Sequence, residues 1–291
     1  MRKLVIQERD ISVFVDLGEF GLLSADMIHS LYWSGKTIRA CQNRLHLYAS
    51  HGLVHVMSVD VANAGLNSKQ GRQPYLYSLT PKGADIVEDT IGERPRRVLQ
   101  KPLKAMTLRH RQEIVTVRLA WDSACNSERF ESPTWIMEQD IRQRKRNMPV
   151  APRLLYHVFG EGEARAVCRP DAACLSELQI KGQLVSLLTF WEIDRSTEGQ
   201  KQIRAKSPGY EMLLKQRSYS EYFRLPAKCE VRVMFVCKSE SRIREMQKQT
   251  LTPLLKASFR YTTLPEVQNA NLFRDPIWQN NAGKRGRVIP P

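Results

Sequence analysis

Two carboxylate patterns near the middle of the chain, Arg169-Pro170-Asp171 and Trp191-Glu192-Ile193-Asp194, stand about twenty residues apart. Each lies at the end of an apolar run that reads as a buried strand. Two adjacent strands ending in carboxylates can hold a hard cation between them, and such an ion polarises a phosphodiester and lowers the pKa of the attacking water. A strand's period of two puts Glu192 and Asp194 on one side of the sheet, so with Asp171 three carboxylates can face one cavity. Acids that close repel one another and require either a bound cation or a basic neighbour. Both solutions are open from the sequence: Mg2+ or Mn2+ held by Asp171, Glu192 and Asp194, or an ion-pair network drawing on Arg169, Arg195 or Lys206.

A phosphodiester-cleaving centre of this kind places a lysine two residues beyond the second acid, and here that position is Asp194. Lys206 is the substitute the sequence offers. Helical spacing puts Gln202 and Lys206 on one face, and Tyr210 extends that face only if the helix continues. Ser207-Pro208-Gly209 predicts a break instead, because Pro208 removes a helix hydrogen bond and Ser207 can cap a new helix. If the centre cuts, Asp171 and Glu192 are expected to ligate the ion with the Ile193 carbonyl, Asp194 to assist, and Lys206 to orient the water.

In this chain the phosphodiester is expected to belong to nucleic acid. Its 291 residues carry a net charge of +15 and a pI near 9.7, a balance that favours polyanions through counterion release. The excess is uneven: net charge is 0 over residues 1–92, +6 over 93–149 and +9 over 150–291. Within the neutral first part, residues 33–79 set Lys36, Arg39, Arg44, Lys69 and Arg72 against the single acid Asp60, so one face is basic. Other classes drop out. The six cysteines form no C-x-x-C pair and read as reduced, buried thiols, which fits a reducing cytosol. The start lacks a signal-peptide core and no apolar run is long enough for a bilayer, so a cytoplasmic protein without a membrane span is expected. No G-x-x-x-x-G-K-[ST] loop supports an ATPase, and no His-hydrophobic-His pair supports tyrosine-dependent nicking.

Periodicity predicts a first helix over 9–19 and a short second one capped by Ser24, with Met27, Ile28 and Leu31 inward. A third runs from about Thr37 to Gly52, with Ile38, Cys41, Leu45 and Tyr48 inward and Arg39, Gln42, Asn43 and His46 outward. The period then changes to that of strands at 53–57 and 75–79, a hairpin whose long tip carries Lys69 and Arg72, before Thr80-Pro81 opens another helix. This order is that of a winged helix-turn-helix over residues 1–92. Its third helix, with Lys36, Arg39, Gln42, Asn43 and His46, suits the major groove of double-stranded DNA, and Lys69 and Arg72 suit phosphate or minor-groove contacts. Residues 93–106 read as a basic linker. A second domain over 107–264 reads helix (107–125), strands (133–139, 166–175, 184–194), helix (199–223), strand (230–237), helix (239–256), ahead of a loosely ordered basic tail over 265–291.

On these residues the chain resembles the replication-relaxation family of plasmids and integrative elements, which includes MobC-type mobilisation proteins. The likeness rests on Arg9-Asp10, on Tyr77-Ser78-Leu79-Thr80-Pro81-Lys82-Gly83, on His110, on Arg169-Pro170-Asp171, and on Glu192-Ile193-Asp194-Arg195-Ser196-Thr197-Glu198 with Lys206 and Tyr210. It implies an α+β chain in which the winged helix-turn-helix precedes an α/β restriction-endonuclease-like domain of the PD-(D/E)xK type. It further implies a role in plasmid transfer or replication, as a metal-dependent nicking relaxase or as a non-catalytic DNA-binding factor with a decayed nuclease domain. The partners to expect are double-stranded DNA and other mobilisation or replication proteins, with a homodimer allowed.

Overall fold

The computed structural model describes residues 4–58, 75–137, 155, 157–160, 166–180, 182–195, 200–217, 219–220, 225, 229–250 and 252–288, without the side chains of 105–106 and 200–205. The chain forms two compact units, residues 1–115 and 116–291.

The first unit begins with α1 (Glu8–Phe20), which Gly21 ends at φ 76 with its N–H on the Leu17 carbonyl. Strand β1 (Leu23–Ser24) leads into α2 (Ala25–Tyr32), where the Ser24 hydroxyl accepts from the Met27 N–H as the N-cap. Thr37 caps α3 (Ile38–Ser50) in the same way. Strands β2 (Val54–Met57) and β3 (Leu76–Leu79) pair antiparallel and β1 adds to β3, giving the sheet order β1-β3-β2. Helix α4 (Pro81–Ile91) follows, with Thr80 as N-cap and Pro81 where its missing N–H costs nothing. Cys41, Leu45 and Tyr48 of α3 are buried, and Phe14 of α1 meets Tyr48 edge to face at 4.9 Å. Leu31 is 44% exposed, so the inward face of α2 is narrower than its apolar residues suggest.

The segment read as a basic linker is packed into this unit instead. Arg97 is buried, with its N–H on the Gly18 carbonyl, and Leu99 donates to Leu79. Leu99 and Leu103 close over Leu22, Met57, Leu76 and Leu108, so the apolar residues between the charges decide the segment's fate. Gly18 is required by this closure, since a Cβ there would lie 2.2 Å from Pro95.

The second unit is built on a mixed sheet. Helix α5 (Ala105–Ser127) enters it, followed by β4 (Thr134–Met137), β5 (His157–Phe159), β6 (Ala166–Cys168), β7 (Ala172–Ile180) and β8 (Gln183–Asp194). After α6 (Gln200–Gln216) come β9 (Cys229–Cys237), α7 (Glu240–Gln249), α8 (Pro253–Ser258), β10 (Phe259–Thr263), α9 (Leu264–Asn269), β11 (Trp278–Gln279) and β12 (Arg285–Gly286). Seven strands lie in the order β12-β11-β10-β9-β8-β7-β4, while β5 and β6 form a separate ribbon. The β8–β9 and β9–β10 pairs are parallel; β7–β8 is antiparallel. One face carries Trp191, which meets Trp121 of α5 at 5.1 Å and Trp278 at 6.0 Å. The other carries Leu188, Phe190, Val233 and Phe235 beneath Tyr210, Leu213, Ile243 and Leu255 of the helices.

Four expectations change here. The run 166–175 is two strands, because Arg169-Pro170 interrupts pairing and Pro170 has no N–H to donate. The predicted helix over 239–256 is divided at Thr252, which caps α8 ahead of Pro253. Strand β10 was not foreseen. The tail is not loose across its described part: Val267, Leu272, Phe273, Ile277 and Trp278 are buried, and the Trp278 indole donates to the Leu272 carbonyl at 2.8 Å.

Candidate functional site

The carboxylates gather at one edge of the sheet. Asp171 stands just before β7, not at the end of a strand, and because β7 and β8 are antiparallel the start of one adjoins the end of the other. The Asp171 N–H donates to the Trp191 carbonyl at 2.9 Å, and its carboxylate accepts from the Ile193 N–H at 2.8 Å. Asp171 therefore spans the last residues of β8.

Glu192 lies on the face beneath α6, with its side chain 5% exposed. Tyr210 donates to one carboxylate oxygen at 2.6 Å and Lys206 to the other at 2.8 Å. Both donors come from a single helix. Helix α6 runs unbroken through Pro208, contrary to the break predicted there, which puts Lys206 and Tyr210 one turn apart on one face. Tertiary packing overrides the local preference: Gly209 sits so close to β6 that a Cβ would be 2.2 Å from the Val167 carbonyl oxygen. Burial pushes the Glu192 carboxyl up to about 7; Lys206 opposes the rise and Asp171 adds to it.

Asp194 shares that face by strand parity, yet meets a different cation. Arg242 of α7 binds it through two bonds, Nε to Oδ2 at 2.6 Å and Nη2 to Oδ1 at 2.9 Å, with both side chains almost fully buried. Among the described residues, no group of three or more His, Cys, Asp or Glu side chains is placed to hold a metal ion. The structure thus brings Asp171, Glu192 and Lys206 together, adds Tyr210, and gives Asp194 to Arg242. The sequence reading missed Arg242. Its local signal was the Ser239 cap, whose hydroxyl accepts from the Arg242 N–H and fixes the first turn of α7.

In the first unit, Lys36, Arg39, Gln42, Asn43 and His46 are all exposed, the last four along one face of α3. Lys69 and Arg72 lie outside the described residues. Arg44 serves structure: with Tyr48 and the Gln7 N–H it binds the fully buried Asp10, so α3 is tied to the start of α1. Burial alone would raise the Asp10 carboxyl, but these donors outweigh it and hold the pKa below the ordinary value. Arg9 stacks over Trp33 at 4.2 Å.

A family model described as replication-relaxation matches residues 14–223. The chain belongs to the replication-relaxation family. Membership suggests a role in plasmid replication or mobilisation, and the matched span takes in the α3 face, Asp171, Glu192, Lys206 and Tyr210, with Arg242 beyond it. Comparison with curated proteins gave no match. Among solved structures, the restriction endonuclease FokI aligns with a TM-score of 0.30 at 14% identity, covering 90% of this chain and 43% of the endonuclease chain. Among the described residues, no helix is long and apolar enough to cross a membrane.

Proposed function

We propose that the protein binds a specific double-stranded DNA site of a mobile element, reading it with a winged helix-turn-helix, and nicks DNA at a centre made of Asp171, Glu192 and Lys206. In this reading the second unit is a PD-(D/E)xK-type nuclease core that has taken its lysine from α6, and the protein is a relaxase of plasmid mobilisation. The exposed polar face of α3 behind the Ser24- and Thr37-capped helices supports the first half. The second half rests on one observation: a buried glutamate on β8, beside the aspartate that opens β7, is held by a lysine and a tyrosine from one helix.

The donor chemistry fits a hard divalent ion, since Asp171 and Glu192 offer carboxylate oxygens from adjacent strands. Those two residues would hold Mg2+ or Mn2+ together with the Ile193 carbonyl, and the ion would polarise the phosphodiester and acidify the attacking water. Tyr210 and Lys206 orient Glu192, and Lys206, 35% exposed, is the partly solvated member of the pair. Asp194 enters as the anchor of Arg242 and not as a ligand. The test is supercoiled plasmid carrying the element's origin, incubated with protein and Mg2+ or Mn2+ and scored for nicked circles. Asp171→Ala and Glu192→Ala should abolish nicking and preserve site-specific binding, while Lys206→Ala should slow it. Site-specific binding with no nicking by the native protein in either metal would overturn catalysis.

A second reading has its own support, because Lys206 and Arg242 already neutralise Glu192 and Asp194. On that reading the second unit is a non-catalytic accessory to DNA binding, and the three acids serve structure.

A further inference from the structure

The second unit contains a cavity of about 370 Å³ that the carboxylate site does not use. Its apolar floor comes from Leu178, Leu187, Met234 and Trp278. Among the described residues its charged groups are Arg232, Arg260, Arg287 and a single acid, Glu230. Leu187 differs in strand parity from Glu192 and lies five residues before it on β8, so the cavity opens on the opposite sheet face and toward the other end of the strand.

These described residues carry two positive charges in excess. Glu230 accepts from Arg232 at 2.8 Å, which leaves Arg260 and Arg287 to account for. Arg260 directs one terminal nitrogen to the carbonyls of Ala257 and Phe259, at 2.9 and 2.7 Å, and among the described residues its other N–H groups make no such bond. Arg287 is exposed, and among the described residues no hydrogen bond joins it to a partner. Half-buried guanidiniums side by side are unfavourable, and burial together with Arg232 lowers the Arg260 pKa from its ordinary value. An anion relieves that repulsion.

We infer that this cavity is a nucleotide-binding pocket, holding a phosphate on Arg260 and Arg287 and laying the base against the apolar floor. Guanidinium forks match phosphate oxygens, and a phosphate monoester carries about −1.5 to −2 at pH 7, which balances the excess. A carboxylate, with one charge, would leave it half neutralised. The volume lies within the range of small-ligand sites. An apolar floor accepts the flat face of any base, so recognition is of a nucleotide and not of a sequence. That chemistry is shared by a free nucleoside monophosphate and by the phosphorylated end of a single DNA strand.

Titration of the full-length protein in EDTA tests the pocket without involving nicking. The probes are dAMP, deoxyadenosine, inorganic phosphate, and a thymidine hexamer with and without a 5′-phosphate. We expect dAMP to bind at least tenfold more tightly than deoxyadenosine or phosphate, and Arg260→Gln to weaken it at least tenfold. Arg287→Gln should weaken it at least fivefold, and this exposed side chain keeps the test available if Arg260→Gln does not fold. Tighter binding of the phosphorylated hexamer than of dAMP identifies a strand end as the ligand, and the reverse identifies a free nucleotide; either supports the pocket. Absence of dAMP binding, equal affinity for dAMP and phosphate, or dAMP affinity unchanged by Arg287→Gln would overturn it.

Discussion

Replacing Glu192 by Gln distinguishes a carboxylate kept for chemistry from one kept for structure. Burial lifts the carboxyl from an ordinary 4.5 to about 7, against the pull of Lys206 and with Asp171 adding repulsion. A group raised in the folded state contributes stability that is complete below its unfolded pKa and is lost as pH rises through the folded one. For Glu192 that window runs from 4.5 to about 7, and crossing it costs about 3 kcal/mol. Gln has the same shape, never ionises and escapes this cost. It keeps an acceptor for Tyr210 but turns an amide toward Lys206, losing a hydrogen bond worth about 1 kcal/mol. Glu192→Gln is therefore expected to be more stable than the native protein by about 2 kcal/mol at pH 8 and less stable by about 1 kcal/mol near pH 4. Urea unfolding followed by tryptophan fluorescence reads this change, because Trp121, Trp135, Trp191 and Trp278 all lie in the second unit. A variant weakened at pH 8 by about 3–5 kcal/mol, the cost of breaking a buried ion pair, would refute the reasoning and make Glu192 a structural partner of Lys206.

Asp10→Ala should destabilise the first unit by about 3–5 kcal/mol in chemical denaturation, since it strands Arg44 and Tyr48. Because the Asp10 pKa is depressed, its contribution is present above the ordinary carboxylate value and should fade in native protein as pH falls below about 4. Gly209→Ala should cost about 1–3 kcal/mol of second-unit stability, as its methyl would meet the Val167 carbonyl; an unchanged melting curve would show that α6 can shift. Arg39→Ala should lower affinity for the specific DNA site by about 1–3 kcal/mol more than for random duplex; equal losses would assign Arg39 to phosphate.

Local chemistry made part of this legible in the sequence. Thr37, Thr80-Pro81 and the three- and four-residue spacing of Cys41, Leu45 and Tyr48 are signals a single segment carries, and α3 and α4 start where they indicate. The nearness of Asp171 and Glu192 followed from two apolar runs, although the antiparallel start of β7 had to be seen before the edge made sense. What stayed hidden depends on distant partners. Pro208 and Gly209 argue locally for a break, and only the approach of β6 and the two bonds to Glu192 explain a continuous α6. Arg242 lies 48 residues from Asp194, beyond any local periodicity. Strand β10 follows α8 with no intervening turn residue, and the apolar side chains of 267–278 are spread among Asn, Arg and Pro, which hides them as a tail.

The two acids of β8 differ in what it takes to free them. Arg242 grips Asp194 through a buried fork of two bonds, and hydrogen bonding to Asp194 raises the guanidinium further above its ordinary pKa. Taking Asp194 from that fork means breaking a buried pair, about 3–5 kcal/mol. Lys206 reaches Glu192 from a side chain 35% exposed, against 8% for Arg242, so its ammonium is the more solvated of the two cations. Tyr210 keeps the other oxygen of Glu192 in place. A divalent cation would thus compete with a partly solvated ammonium at Glu192 and with a buried guanidinium at Asp194. The same strand presents both carboxylates to one face, and of the two it is Glu192, beside Asp171, whose cation partner is the more exposed.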